Sequence, residues 1–129
     1  VPEYFSQQLR ISAAQLLSNS ATQKKMNLQQ EKWWVDAQND ENAVILDVRT
    51  PEEFERGIIP NAINIDIYKG QGFIYLIEEL DKSKTYYVYC HAGSRSAKAC
   101  DVMQELGFEK TFNLVGGISE WNGPIIEPN

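Results

Sequence analysis

The stretch AVILDVR, residues 43–49, constrains this chain more than any other part of it. It is an apolar run without alternation, closed by polar residues, so both of its faces must be covered. That is the pattern of a strand inside a parallel sheet. A second run, TYYVYC at residues 85–90, is β-branched and aromatic and reads the same way. AINIDI, residues 62–67, alternates Ile63, Ile65 and Ile67 with Asn64 and Asp66, a period-two strand entered through the turn GIIPNA. KTFNLVGG supplies a last strand.

Helical segments separate these strands. TPEEF is a complete helix start, with Thr50 as cap, Pro51 at the first helical position and Glu53 reaching back to the cap. GFIYLIEEL follows the breaks at Gly70 and Gly72, and SRSAKACDVMQELGF runs to a stop at Gly107. In the latter, Ala99, Val102, Met103 and Leu106 form one stripe, while Lys98, Asp101 and Glu105 face away. GISEW is a final short turn of helix. Upstream, Asn27 with Gln30 three residues later predicts a capped helix through EKWWVDA to about Gln38, in which Trp33 and Trp34 cannot both point inward. Alternating strands and helices predict an α/β domain with a mostly parallel sheet covered on both faces. Residues 1–26, polar with one apolar cluster from Leu9 to Leu17, read as a helical or flexible extension, and 27–129 as the domain.

Composition excludes several roles. At 129 residues one core suffices, and no apolar run is long enough to cross a bilayer. A net charge of −6 argues against nucleic acid as a partner. With two cysteines, Cys90 and Cys100, and a single histidine, neither a disulfide framework nor a zinc site can be assembled, and no metal or organic cofactor is expected. The expected state is a monomer and the expected address the cytoplasm, although a chain opening at Val1 leaves room for a removed leader.

Cys90 ends its strand, where ligands gather in parallel sheets. His91, Ala92, Gly93, Ser94 and Arg95 separate it from helical sequence, and small residues there let backbone N–H groups converge as an anion nest. The helix N-terminus adds positive potential at the same place. No Asp or Glu occurs between Asp81 and Asp101, while His91, Arg95 and Lys98 do, so the local sequence field is positive in an acidic chain. These features favour thiolate over thiol and mark Cys90 as the candidate nucleophile. Cys100 flanks the apolar stripe and reads as a packed helix residue.

A thiolate in such a cup can attack phosphorus or sulfur. Arg95 follows Cys90 with four residues between, one fewer than the C-x5-R spacing of the tyrosine-phosphatase signature. A smaller cup suits a smaller guest, and a sulfane sulfur needs no acid to protonate its leaving group.

Three segments, ILDVRTPEEFERGIIPNAINI, CHAGSRSAKA and LVGGISEW, are similar to the first signature, the active-site loop and the second signature of the rhodanese family. The resemblance covers about Asn27 to Pro124. It implies a rhodanese-like fold on a central sheet of about five strands, with sulfurtransferase chemistry cycling Cys90 between thiolate and persulfide. It gives His91, Ala92, Gly93, Ser94 and Arg95 as the cup around the outer sulfur, and Asp47 and Arg49 a structural role. The implied partners are a small anionic sulfur donor (thiosulfate, a polysulfide or a persulfide) and a thiol, cyanide or protein acceptor. The chain departs from the family's frequent GHIPGA at Ile58 and Asn61. Two other readings stay open: phosphatase or arsenate-reductase chemistry on the same cup, and a rhodanese-like module that binds a protein without turnover.

Overall fold

The structure, a computed structural model, describes residues 26–129. The extension read over residues 1–26 therefore lies outside the described residues except for Met26, which is buried in the core. Five strands form one sheet: β1 (Asn27–Leu28), β2 (Ala43–Asp47), β3 (Ile63–Asn64), β4 (Thr85–Tyr89) and β5 (Lys110–Leu114). Their order is β1-β5-β4-β2-β3 and every pairing is parallel. Among the described residues four α-helices accompany them: α1 (Gln30–Asn39), α2 (Pro51–Glu55), α3 (Gln71–Glu78) and α4 (Ser94–Glu105). Short 3₁₀ turns occupy Ile67–Lys69 and Ile118–Glu120.

β4 lies at the middle, hydrogen-bonded to β2 on one side and β5 on the other, so all five of its residues are buried. Strand pleating then sorts its side chains. Tyr86 and Val88, with Cys90 beyond them, join Leu46, Val48, Phe73, Ile77, Ala99, Cys100 and Met103 on the face covered by α3 and α4. Tyr87 and Tyr89 join Ile45, Leu114, Trp33 and Ala37 on the face covered by α1. Trp33 is fully buried, meets Tyr87, Tyr89 and Trp121 edge to face, and donates its Nε1–H to the carbonyl of Phe112 at 3.2 Å. Trp34 packs half-buried against Trp121, so one tryptophan points inward and its neighbour is clipped to the surface.

Three expectations change. Asn27 is not a helix cap: it pairs with Asn113 in β1, its side chain accepts from Asn113 Nδ2 at 2.9 Å, and Gln29 precedes the helix instead. Gln30 does not reach back to a cap, because its amide bridges the carboxyl-terminal segment, donating to the carbonyl of Glu120 and accepting from Asn122 N–H, both at 2.8 Å. The alternating AINIDI is regular strand only at Ile63–Asn64; Ile65 and Ile67 N–H still donate to the Asp47 and Val48 carbonyls at 3.0 and 3.2 Å, but Asp66 accepts from Tyr68 N–H and starts a 3₁₀ turn.

The departures from the family pattern have physical counterparts. Asn61, which stands in place of the glycine of the frequent GHIPGA pattern, sits at φ 71°, and among the described residues it is the one non-glycine with positive φ. Asparagine tolerates that conformation better than most residues. Ile58 is buried and exchanges backbone hydrogen bonds with Ile126 at 2.8 and 2.9 Å.

Candidate active site

β4 carries Cys90 to the carboxyl edge of the sheet, and the chain turns at once into α4. Gly93 makes this turn at φ 106°, in the region open to glycine, and its N–H donates to Cys90 Sγ at 3.0 Å. No side chain caps α4, so the first turn of a twelve-residue helix presents its N–H groups and positive dipole end beside that sulfur. The Ser96 hydroxyl lies 3.3 Å from Sγ. It also lies within hydrogen-bond reach of the Gly93 carbonyl and the Asn113 side-chain oxygen. A hydroxyl has one proton for these three acceptors, so Ser96 can redirect it to the sulfur when negative charge collects there.

A second segment pins the loop from below. Ile118 N–H donates to the Cys90 carbonyl and Ser119 N–H to the His91 carbonyl, each at 2.9 Å. Gly117, at φ 61°, permits the approach: a Cβ there would lie 2.3 Å from the His91 oxygen and 2.7 Å from the Ala92 nitrogen. LVGGISEW is thus the floor of the cysteine loop.

The loop residues separate in their placement. His91, Ala92 and Ser94 are exposed, Gly93 is buried and Arg95 half-buried. Cys90 is only 1% exposed, so the sulfur lies beneath the loop rather than at an open surface. Beside it an open depression of about 320 Å³ is lined by Ile67, Tyr68, Ser94, Arg95 and Lys98.

Arg95 departs most from the sequence-based field. Its guanidinium forms a bidentate pair with Glu53 of α2, Nη1 to Oε1 at 2.8 Å and Nη2 to Oε2 at 2.9 Å, and lies over the Tyr68 ring at 5.2 Å from its centroid. The carboxylate-free window between Asp81 and Asp101 hid a carboxylate delivered from 42 residues away. Glu53 still serves as the cap partner of Thr50. Hydrogen bonds from Arg95 hold its carboxyl far below the usual range, to about 2. Glu53 in turn raises the Arg95 guanidinium, with the nearby Cys90 a smaller contributor.

Asp47 and Arg49 are buried and make a bidentate pair with a 2.7 Å contact from Arg49 Nη2 to Asp47 Oδ2, and Arg49 Nη2 also donates to the Gly57 carbonyl at 2.8 Å. Burial pulls Arg49 down, but the Asp47 hydrogen bonds and charge outweigh it and carry its pKa above the ordinary value. The pair ties the end of β2 to the segment after α2. Cys100 is fully buried, and desolvation pushes its thiol up to about 12, the behaviour of a packed, inert cysteine. Both cysteines are free. Among the described residues no His/Cys/Asp/Glu cluster could hold a metal ion, and no helix is long and apolar enough to cross a membrane.

Sequence reasoning ended the site at Arg95 and so missed Ser96, Asn113, Glu53 and Gly117. Ser96 and Gly117 had a signal, one lying next to the loop and the other within LVGGISEW. Glu53 and Asn113 had none, because only the fold brings them near.

An all-parallel sheet whose central strand delivers a cysteine into a short loop at a helix N-terminus defines the class: an α/β domain with a loop-borne thiol. The chain belongs to the rhodanese-like domain family, whose family model matches residues 30–124. A protein named sulfurtransferase from Allochromatium vinosum is 33% identical over 91 residues, covering 68% of this chain and 82% of that protein. YrkF of Bacillus subtilis is 34% identical over 105 residues, and the chain spans 54% of its length. A rhodanese-like domain protein of Staphylococcus aureus superposes with a TM-score of 0.68 at 26% identity, over 80% of this chain and 98% of that one.

Proposed function

We propose that the chain is a sulfurtransferase that works through a persulfide on Cys90. The Cys90 thiolate attacks the sulfane sulfur of a small anionic donor: thiosulfate, a polysulfide or a persulfide. A new S–S bond forms as the donor's S–S bond breaks, and the bonding pair leaves on sulfite or a thiolate, so no proton donor is needed. The outer sulfur, now carrying the negative charge, is then attacked by a thiol, cyanide or a protein acceptor, and Cys90 returns as thiolate. Gly93 N–H and the Ser96 hydroxyl hold anionic Cys90, while the exposed loop residues His91, Ala92 and Ser94 surround the guest.

The observation that carries this reading is the setting of Cys90 Sγ, under the loop and 3.0 Å from Gly93 N–H at the uncapped start of α4. Enclosure of that degree favours a guest that reaches the thiolate through one atom. The commitment of Arg95 speaks against phosphoryl chemistry, since both terminal nitrogens that would fork a tetrahedral oxyanion are occupied by Glu53. The similarity to a named sulfurtransferase supports the same reaction class. Intact-mass measurement after exposure to thiosulfate and to glutathione persulfide tests it. One added sulfur atom, removable by reductant and missing in Cys90→Ser, is expected. No addition from either donor refutes the reading, and phosphate-ester hydrolysis lost in Cys90→Ser would replace it.

A further inference from the structure

The Glu53–Arg95 pair stands at the edge of the cysteine loop with its charges cancelled. Both side chains are mostly withdrawn from water, Arg95 at 18% and Glu53 at 23% exposure, and the geometry is a fork rather than a single contact. Tyr68 covers the guanidinium, and the same arginine lines the open depression beside the loop. The cation that the sequence places next to the nucleophile therefore reaches an incoming anion as one end of a neutral pair.

We propose that Glu53 sets the charge selectivity of Cys90: by neutralising Arg95 it lowers the advantage of doubly charged sulfur donors and leaves the site suited to donors with one negative charge or none at the reacting end. Glu53 is a positioning residue here, acting through Arg95. As a statement about donors, this rests on the sulfurtransferase reading; as a statement about the field at Cys90, it is testable without it. The carboxyl stays ionised at all physiological pH because Arg95 holds it down to about 2, so the neutralisation is permanent.

Glu53→Gln isolates the charge. Glutamine keeps an oxygen for Arg95 and for the Thr50 cap, whose side chain and backbone N–H both lie 3.2 Å from Glu53 Oε1. The measurement is the rate of alkylation of Cys90, located by peptide mass, with iodoacetate (an anion) and iodoacetamide (neutral) at low and high salt. In Glu53→Gln the iodoacetate-to-iodoacetamide ratio is expected to rise about three- to tenfold at low salt and to shrink toward the wild-type value at high salt. Arg95→Gln should move it the opposite way. Thr50→Ala, which breaks the cap and spares the pair, should leave it unchanged. An unchanged ratio in Glu53→Gln, an equal shift in Thr50→Ala, or Cys90 that reacts with neither reagent in any variant would overturn the proposal. With sulfur donors, KM for thiosulfate should fall more than KM for a singly charged persulfide, with little change in kcat. A shifted alkylation ratio in a protein that takes sulfur from no donor would refute the sulfurtransferase reading alone.

Discussion

Replacing Gly117 by alanine should disable the cysteine loop without touching any side chain in it. The residue sits at φ 61° and ψ −164°, a conformation nearly confined to glycine, so alanine there carries about 1–3 kcal/mol of backbone strain. Strain alone would not affect the thiol. The added Cβ, however, would stand 2.3 Å from the His91 oxygen and 2.5 Å from the His91 carbon, both main-chain atoms of the loop. Relieving an overlap of that size takes a displacement of about 1 Å, and shifts on that scale at a reacting centre cost about a hundredfold in rate. Gly70 is the matched control. It has φ 57° and nothing within 4 Å of where a Cβ would be, so Gly70→Ala carries similar strain with no push on the loop. Urea denaturation should show both variants destabilised by about 1–3 kcal/mol. Persulfide formation on Cys90, followed by intact mass against time, should slow by about two orders of magnitude in Gly117→Ala only. A Gly117→Ala protein that takes up sulfur at the wild-type rate would refute the floor assigned to LVGGISEW.

The Glu53–Arg95 pair predicts acid sensitivity. The Glu53 carboxyl falls from 4.5 to about 2 on folding, so its contribution is complete above pH 4.5 and is lost as pH falls toward 2. The ceiling is about 3 kcal/mol, and partial exposure reduces it to about 1–2 kcal/mol; Glu53→Gln should flatten the acid limb of a stability–pH curve, and an identical limb would count against the pair. Ser96→Ala removes the hydroxyl 3.3 Å from Sγ and should slow sulfur uptake about ten- to a hundredfold, the worth of a hydrogen bond to an ionised acceptor. Rapid uptake in that variant would exclude Ser96 from holding the anion. Arg49→Leu strands fully buried Asp47 and should cost about 3–5 kcal/mol in urea denaturation, with part recovered when Asp47→Asn is added. A loss below about 1 kcal/mol would show that Asp47 finds another partner.

Local chemistry was legible in the sequence where neighbours along the chain decide it. Thr50, Pro51 and Glu53 form the capping box that their spacing requires, with Glu53 N–H donating to Thr50 Oγ1 at 3.2 Å. The unalternating runs at 43–47 and 85–89 are the two strands hydrogen-bonded at the centre of the sheet, and Cys90 follows the second. What escaped depends on distance along the chain. The charge window around Cys90 contains no carboxylate, yet α2 crosses to supply one, because a local count of charges does not see a helix that begins at Pro51. Asn27 has the spacing of a helix cap, yet β5 offers it a strand partner, and a backbone ladder together with the Asn113 amide outweighs one capping bond. The stripe on α4 packs on the core as its spacing requires, Ala99 and Met103 buried and Val102 and Leu106 partly so, but the buried face is wider than the stripe: Ser96 and Cys100 join it, and the Ser96 hydroxyl lies 3.3 Å from Cys90 Sγ.

The sulfurtransferase reading asks an acidic protein to hold charge on a sulfur, and the groups that would oppose that charge come largely from the main chain. With Arg95 bound to Glu53, the groups within hydrogen-bond distance of Sγ are the Gly93 N–H and the Ser96 hydroxyl, and α4 begins at the next residue, Ser94. Backbone dipoles neither titrate nor swing away to solvent, so their field persists whatever the net charge of −6 does at long range. Their aim depends on glycine. Gly93 needs φ 106° to turn its N–H toward the sulfur, and a Cβ on it would press within 3.3 Å of Gly116 N; Gly117 then needs its own positive φ to bring Ile118 and Ser119 under the carbonyls of Cys90 and His91. CHAGSRSAKA and LVGGISEW, with fourteen residues between them, are two halves of one backbone cradle, and glycine recurs in both because each half must approach the other without a side chain between them.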